Sequence, residues 1–227
     1  MGIETHVKWL GKLNRSAKSE LILNWREIEY CVIDLETTGL DFTKDEIISI
    51  GAVQIQSGRI VTEANYYQQV RPKQIPSPSS IRIHGIRAVD LESAPPIEHV
   101  LPELAERIRG RVVVAHAAWV EKAFLKSHLE ELHLDFSRRL IDTAGLARVC
   151  NTVDVDLVHE PSLEHLARAL DLPVYSPHNA LGDALTTAII FLALATKLEN
   201  AMGEKGEPFL NLKKLLKVSE KSSRTQW

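Results

Sequence analysis

Three short stretches of this 227-residue chain carry side chains suited to metal-assisted or acid–base chemistry. The first is Asp34-Leu35-Glu36, directly after the apolar run Tyr30-Cys31-Val32-Ile33. Residues two apart on a strand point to the same face, so both carboxylates leave one side of a strand end. Clustered carboxylates repel unless a cation neutralises them, and hard divalent cations such as Mg²⁺ take oxygen ligands. An Asp-x-Glu alone also fits a solvated strand edge; the apolar run before it and the turn Thr37-Thr38-Gly39-Leu40-Asp41 after it favour a site. The second stretch, His116-Ala117-Ala118-Trp119-Val120-Glu121, follows Val112-Val113-Val114. Strand ends and the loops after them commonly hold ligands in α/β proteins. Glu121 falls in the first turns of a helix, where the macrodipole favours an acid with or without a site. The third is His178-Asn179-Ala180-Leu181-Gly182-Asp183. Asp183 lies inside an apolar helical stretch, flanked by Ala184 and Leu185, where a carboxylate is costly unless paired or metal-bound.

The elements that must position these groups follow from hydrophobic patterning. Tyr30–Ile33, Ile47–Ile55 and Ile60–Val70 read as strands, the last two joined by the hairpin turn Gln56-Ser57-Gly58-Arg59. Short connections favour an antiparallel meander. Arg71 to Ser80, rich in Pro and Ser, reads as loop. Ile97–Ile108 has helical spacing, Arg111–Ala115 is a fourth strand, and a helix follows through Trp119, Ala123, Phe124 and Leu125. Leu140-Ile141-Asp142 is a short fifth strand, and Leu146 begins another helical pattern. Thr152–Glu160 is a polar loop, Pro161-Ser162-Leu163-Glu164 opens a helix, and Asn179–Leu198 is a long, largely apolar helix. This order predicts an α/β fold, a mixed central sheet with an antiparallel meander and flanking helices. Residues 1–27 read as an N-terminal extension, a helix packed on the main domain or a frayed segment, 28–200 as the main domain and 201–227 as a basic C-terminal tail, solvated or open to a protein partner.

Composition sets outer bounds. An apolar fraction of 44% with 25% charged residues is that of an ordinary globular protein, which argues against disorder and collagen. The formal net charge of −3 lacks the basic excess of proteins that grip long duplexes. Two cysteines, Cys31 and Cys150, offer no metal-binding pair. The sequence shows no signal peptide and is read as lacking the ~20-residue apolar span a membrane requires, so the expected compartment is the cytoplasm.

Taken in order, the three stretches resemble those of the DEDDh exonucleases, the family of the DNA polymerase III epsilon proofreading subunit, RNase T and oligoribonuclease. Residues 30–55 resemble the first motif and its second strand; Ile83-His84-Gly85-Ile86 is similar to the family's His-Gly-Ile segment; His178-x-Ala180-x-x-Asp183 matches the third motif. The resemblance runs from about Glu29 to about Leu198. The second motif departs from the usual His-Asn-Ala-x-Phe-Asp: Ala117, Val120 and Glu121 stand in place of Asn, Phe and Asp.

The resemblance implies an RNase H-like fold and 3′→5′ removal of nucleoside 5′-monophosphates from nucleic-acid ends, with single-stranded DNA as the expected substrate. It implies two divalent ions, Mg²⁺ or Mn²⁺, held by Asp34, Glu36, Glu121 and Asp183, with Asp34 bridging and His178 as general base. By the same carry-over the Thr37 backbone would meet the terminal 3′-hydroxyl, with Thr38, Leu40 and His84 against the last nucleotide; His116 would sit near the site, touching substrate or structural, and a polymerase or other protein would be the partner. An RNA-directed exonuclease of the oligoribonuclease or RNase T kind is the alternative among enzymes. A non-catalytic nucleic-acid-binding module is the alternative outside them, suggested by Glu121.

Overall fold

The computed structural model describes residues 19–136, 139–152, 161–204 and 209–222. Five strands, β1 (Tyr30–Thr37), β2 (Ile47–Gln56), β3 (Arg59–Gln69), β4 (Val112–Ala115) and β5 (Leu140–Asp142), form one sheet in the order β3-β2-β1-β4-β5. The β1–β2 and β2–β3 pairs are antiparallel, while β1–β4 and β4–β5 are parallel. The expected mixed sheet with a meander is therefore present. Ser57 and Gly58, both with positive φ (50° and 68°), turn the β2–β3 hairpin in the twist that two-residue loops favour.

Seven helices flank the sheet among the described residues: α1 (Pro78–His84), α2 (Ile97–Ile108), α3 (Trp119–Glu131), α4 (Thr143–Val149), α5 (Leu163–Ala169), α6 (Ala180–Gly203) and α7 (Leu212–Ser222). The alternation along β1 divides the core. Tyr30 and Val32 pack on one face with Val53, Phe191 and Leu194, beneath α6. Cys31, Ile33 and Leu35 pack on the other with Leu104 and Leu125, beneath α2 and α3. Asp34 and Glu36 continue the Tyr30–Val32 register and so share the face that α6 covers.

Several elements depart from the sequence expectation. The loop expected through Ser80 ends earlier: Ser77 caps α1 by accepting a hydrogen bond from the Ser80 N–H, with Pro78 in the first helical position. Ser-Pro is loop composition and also a helix start, and here the cap decides. Helix α4 begins at Thr143 rather than Leu146, capped by the Asp142 side chain, which accepts from the Ala144 N–H at 3.0 Å. The strand β1 runs on through the two carboxylates to Thr37. Both cysteines are free.

The two ends of the chain need the largest correction. Of the expected N-terminal extension, residues 1–18 lie outside the described residues. The remainder includes a 3-10 turn, Trp25–Glu27, capped by Asn24, and Trp25 is 1% exposed. Of the expected basic tail, residues 209–222 are not solvated tail. Leu210, Leu212 and Leu215 are buried in the same core as Trp25 and Phe191. The segment also zips to the N-terminal one: Trp25 N–H donates to the Leu210 carbonyl at 3.0 Å, and Lys213 N–H to that of Leu21 at 2.9 Å. The Asp142 N–H donates to Ser219 Oγ at 2.7 Å, fixing α7 beside the edge strand β5. Leucines and Ser219 at helical spacing make the buried stripe, while the lysines between them, Lys213 and Lys217, remain outside and dominate the composition.

Helix α6, at 24 residues with mean hydropathy 1.6, is long and apolar enough to cross a membrane by length and composition, contrary to the sequence expectation. Its apolar side packs on β1 and β2 as the central helix of the core.

Leu215→Ala tests the reassigned C-terminal segment. Truncating this fully buried side chain is expected to cost about 2–4 kcal/mol in urea unfolding, the usual cost of a core cavity, whereas a solvated tail would give no change.

Candidate active site

The three carboxylates of Asp34, Glu36 and Asp183 meet where the C-terminal end of β1 passes under the start of α6, each offering an oxygen within 4.8 Å of the others. Two features of the backbone make this approach possible. Gly51 on β2 lies directly opposite Asp34, and a methyl group there would overlap the Ala180 carbonyl at the start of α6. Gly182 similarly lets the helix settle against the carbonyls of Tyr175 and Ser176. Glycine in a strand marks a close backbone approach, and here that approach brings Asp183 to the strand. Asn179 caps α6 by accepting from the Gly182 N–H at 3.1 Å. Asp183 therefore lies near the positive end of the helix rather than in its middle, where the macrodipole partly offsets its charge.

The electrostatics show how much these groups oppose one another. Burial holds the Asp34 carboxyl well above the ordinary carboxylate range, and the charges of Glu121, Asp183 and Glu36 add to the rise. Burial, followed by Asp183, pushes Glu36 up to about 7. Burial pushes Asp183 up to about 6, opposed by the His178 N–H, which donates to its Oδ2 at 3.0 Å, and by the His178 charge. Among the described residues, no lysine or arginine forms an ion pair with Asp34, Glu36 or Asp183. A set of hard oxygen donors without a neighbouring cation suits Mg²⁺ or Mn²⁺, so these residues fit the expected ions.

Glu121 comes from α3 on the other side of β1, is 3% exposed, and is the largest charge acting on Asp34. It lies beside the three-carboxylate cluster rather than within it. The turn before α3 holds Ala117 at φ +53°, a left-handed conformation that asparagine tolerates better than alanine. The family motif places asparagine at this position.

His178 occupies the loop before α6 at φ +59°, with its side chain 50% exposed. Its Nε2 lies 3.6 Å from Glu164 Oε1, on the first turn of α5. His84, delivered by α1, accepts from the Ile86 N–H at Nδ1 (3.0 Å). Burial holds its imidazole below the ordinary histidine range, the Thr37 backbone opposes this, and His178 adds to it. His84, Thr37 and His178 thus lie near one another, with Leu40 exposed on the adjoining loop. The two threonine side chains turn inward. Thr37 Oγ1 donates to the Gly39 carbonyl at 2.6 Å, and Thr38 Oγ1 donates to Asp45 Oδ1 at 2.8 Å while accepting from the Glu46 N–H.

Of the two roles expected for His116, against substrate or structural, its contacts match the structural one. Its Nε2 donates to the Pro161 carbonyl at 2.8 Å, and its Nδ1 lies 2.9 Å from the Thr143 hydroxyl. Both ring nitrogens therefore brace the start of α5 against α4. Sequence reading missed Gly51 and Glu164. Gly51 carries no side chain to notice. Glu164 reads as an ordinary first-turn acid, and the motif spacing does not reveal that it faces His178.

Two expectations follow from this geometry. Gly51→Ala should push α6 from the sheet, lowering stability by about 1–3 kcal/mol and weakening divalent-ion binding in calorimetry. Unaltered ion binding would separate Gly51 from the site. The second concerns pH. The folded, ion-free protein holds the Glu36 and Asp183 protons more tightly than the unfolded chain does, because both pKa values are raised. Their contribution to stability is greatest below the ordinary carboxylate values near ~4 and is lost as pH rises toward about 7. The thermal midpoint in chelator should therefore decline from about pH 5 to about pH 7.5, and Asp34→Asn, by removing a repelling charge, should flatten the decline. A rising midpoint over this window would contradict the assignment.

A family model described as Exonuclease matches residues 31–191. The DNA polymerase III PolC-type protein of Thermotoga petrophila is 37% identical over 185 residues, covering 81% of this chain and 13% of that protein. The 3′-5′ exonuclease DinG of Staphylococcus haemolyticus is 30% identical over 171 residues, covering 75% of this chain and 18% of that protein. The chain thus spans less than a fifth of these curated relatives. A solved structure of Exonuclease X in complex with 5′ overhanging duplex DNA superposes with a TM-score of 0.61 at 25% identity, covering 84% of this chain and 99% of that one.

Proposed function

This chain belongs to the DEDDh exonuclease family and has its RNase H-like fold, and we propose that it removes nucleotides from the 3′ ends of single-stranded DNA as nucleoside 5′-monophosphates. The observation that carries the proposal is the meeting of Asp34, Glu36 and Asp183 within 4.8 Å, with Glu121 behind Asp34 and His178 at the rim. Two divalent ions bound there supply Lewis acidity toward the scissile phosphate and offset its charge. Asp34 would serve both ions, Glu36 and Asp183 would hold the one that activates water, and Glu121 would help position that ion, directly or through a water.

His178 accepts the proton of the attacking water, a task suited to an imidazole near neutral pH. The Thr37 backbone, Leu40 and His84 hold the terminal nucleotide beside the carboxylates. The inward hydroxyls of Thr37 and Thr38 keep the β1–β2 loop in shape for that contact. His116 acts by bracing rather than by touching substrate. The non-catalytic reading loses support from Glu121, which retains a carboxylate at the position the motif requires and is buried against Asp34.

DNA is favoured over RNA by the relatives, among them a DNA polymerase III protein and a nuclease solved on duplex DNA. A polymerase as partner rests on the PolC-type relatives, and the cytoplasm follows as the compartment of such substrates.

The test is a ladder assay with 5′-labelled DNA and RNA oligomers and Mg²⁺ or Mn²⁺. DNA is expected to shorten one nucleotide at a time, and faster than RNA. Asp183→Ala should give no ladder. His178→Ala should lose on the order of 10²–10⁴-fold in turnover, the usual worth of a general base, while still binding Mn²⁺ in calorimetry. Normal turnover by purified Asp183→Ala would overturn the metal assignment, and faster digestion of RNA would make this an RNA-directed enzyme.

A further inference from the structure

Glu164 is a fifth acid at the cleft, contributed by a helix outside the three motifs. Its Oε1 lies 3.6 Å from the Nε2 of His178, and its charge also reaches Asp183. Given the exonuclease reading, on which this inference rests, we propose that Glu164 is a positioning residue that fixes the His178 ring for proton transfer.

The need for such a residue follows from how His178 is held. Its backbone is well defined: the N–H is bonded to Asp183 Oδ2, and φ is +59°, a region where few non-glycine residues rest unless their surroundings hold them. Its side chain is half exposed, so packing alone does not select a ring orientation. A carboxylate beside Nε2 favours the tautomer with the proton on that nitrogen. Nδ1 is then left with its lone pair free to accept a proton. When the attacking water gives its proton to Nδ1, the ring becomes an imidazolium whose Nε2–H still faces Glu164. The proton on Nε2 does not move to the carboxylate; the negative charge stabilises the cation where it forms, the logic by which a carboxylate orients a catalytic histidine elsewhere.

Glu164 is itself seated by a chain of contacts. Ser162 caps α5 through its Oγ, which accepts from the His165 N–H at 3.2 Å. The Pro161 carbonyl just before it accepts from His116 Nε2, and His116 is braced by Thr143 on α4. The family's second-motif histidine thus sets where α5 begins, and hence where Glu164 meets His178.

The experiment uses the full chain and Glu164→Gln. In chelator, ¹⁵N-resolved imidazole spectra of the parent should show His178 mainly as the Nε2–H tautomer, and Glu164→Gln should shift it toward a mixture. With Mn²⁺ and a single-stranded DNA oligomer, Glu164→Gln should lower kcat by at least about tenfold, within the range set by loss of the base itself, with KM little changed. Glu164→Asp should recover part of that loss. In a His178→Ala background, Glu164→Gln should have no further effect. An unchanged His178 spectrum, or an equal loss with and without His178, would overturn the proposal. A parent that responds in the spectra yet digests neither DNA nor RNA would instead overturn the exonuclease reading and leave the Glu164–His178 pair standing.

Discussion

Mutual repulsion among half-buried carboxylates is the constraint on which the rest of this structure depends. Asp34, Glu36 and Asp183 each keep a raised pKa, and burial is the first cause in every case. Without a cation, the site works against folding. It persists because a large apolar assembly fixes the two elements that carry it. Tyr30 and Val32 on β1 are packed against Phe191 and Leu194 on α6, in the same register that presents Asp34 and Glu36. The tilted contact between the Tyr30 and Phe191 rings, with centroids 4.8 Å apart, and the edge contact of Trp25 with Phe191 tie the N-terminal segment to that helix. Even α7, far along the chain, closes the lower part of this core. The site is thus held by packing well away from its chemistry.

The legible part of this arrangement was the part governed by local periodicity. Asp34 and Glu36 are two apart behind an apolar run, so their shared face follows from strand geometry. Asp183 interrupts an apolar helix, so its cost could be seen from its neighbours. The meander and the mixed character of the sheet followed from short connections and the helical segments between later strands, whereas the strand order did not. Other features depend on which remote elements touch. His116 could not be assigned its bracing role without knowing that Pro161 lies across from it. The leucines of α7 were outweighed by their lysine neighbours because composition averages over both sides of a helix. Ser77-Pro78 carried a helix start that its loop-like company concealed.

Glu121 shows how a changed side chain can keep its place in such a network. It has one more methylene than the aspartate of the family motif, and it is buried behind Asp34, outside the tight three-acid group. Its charge nonetheless acts on Asp34 more strongly than that of Asp183 or Glu36. The second motif therefore keeps its electrostatic influence on Asp34, with a longer and more adjustable reach.

The turn ahead of Glu121 has a different consequence. Ala117 sits at φ +53°, where an alanine costs about 1–2 kcal/mol relative to a right-handed conformation and where an asparagine rests more easily. The turn keeps its shape because β4 and α3 anchor it on both sides. Alanine at residue 117 is therefore accommodated as conformational tension instead of as a new turn shape. Asparagine at residue 117 would return that tension as stability while the turn keeps presenting Glu121 from the same place.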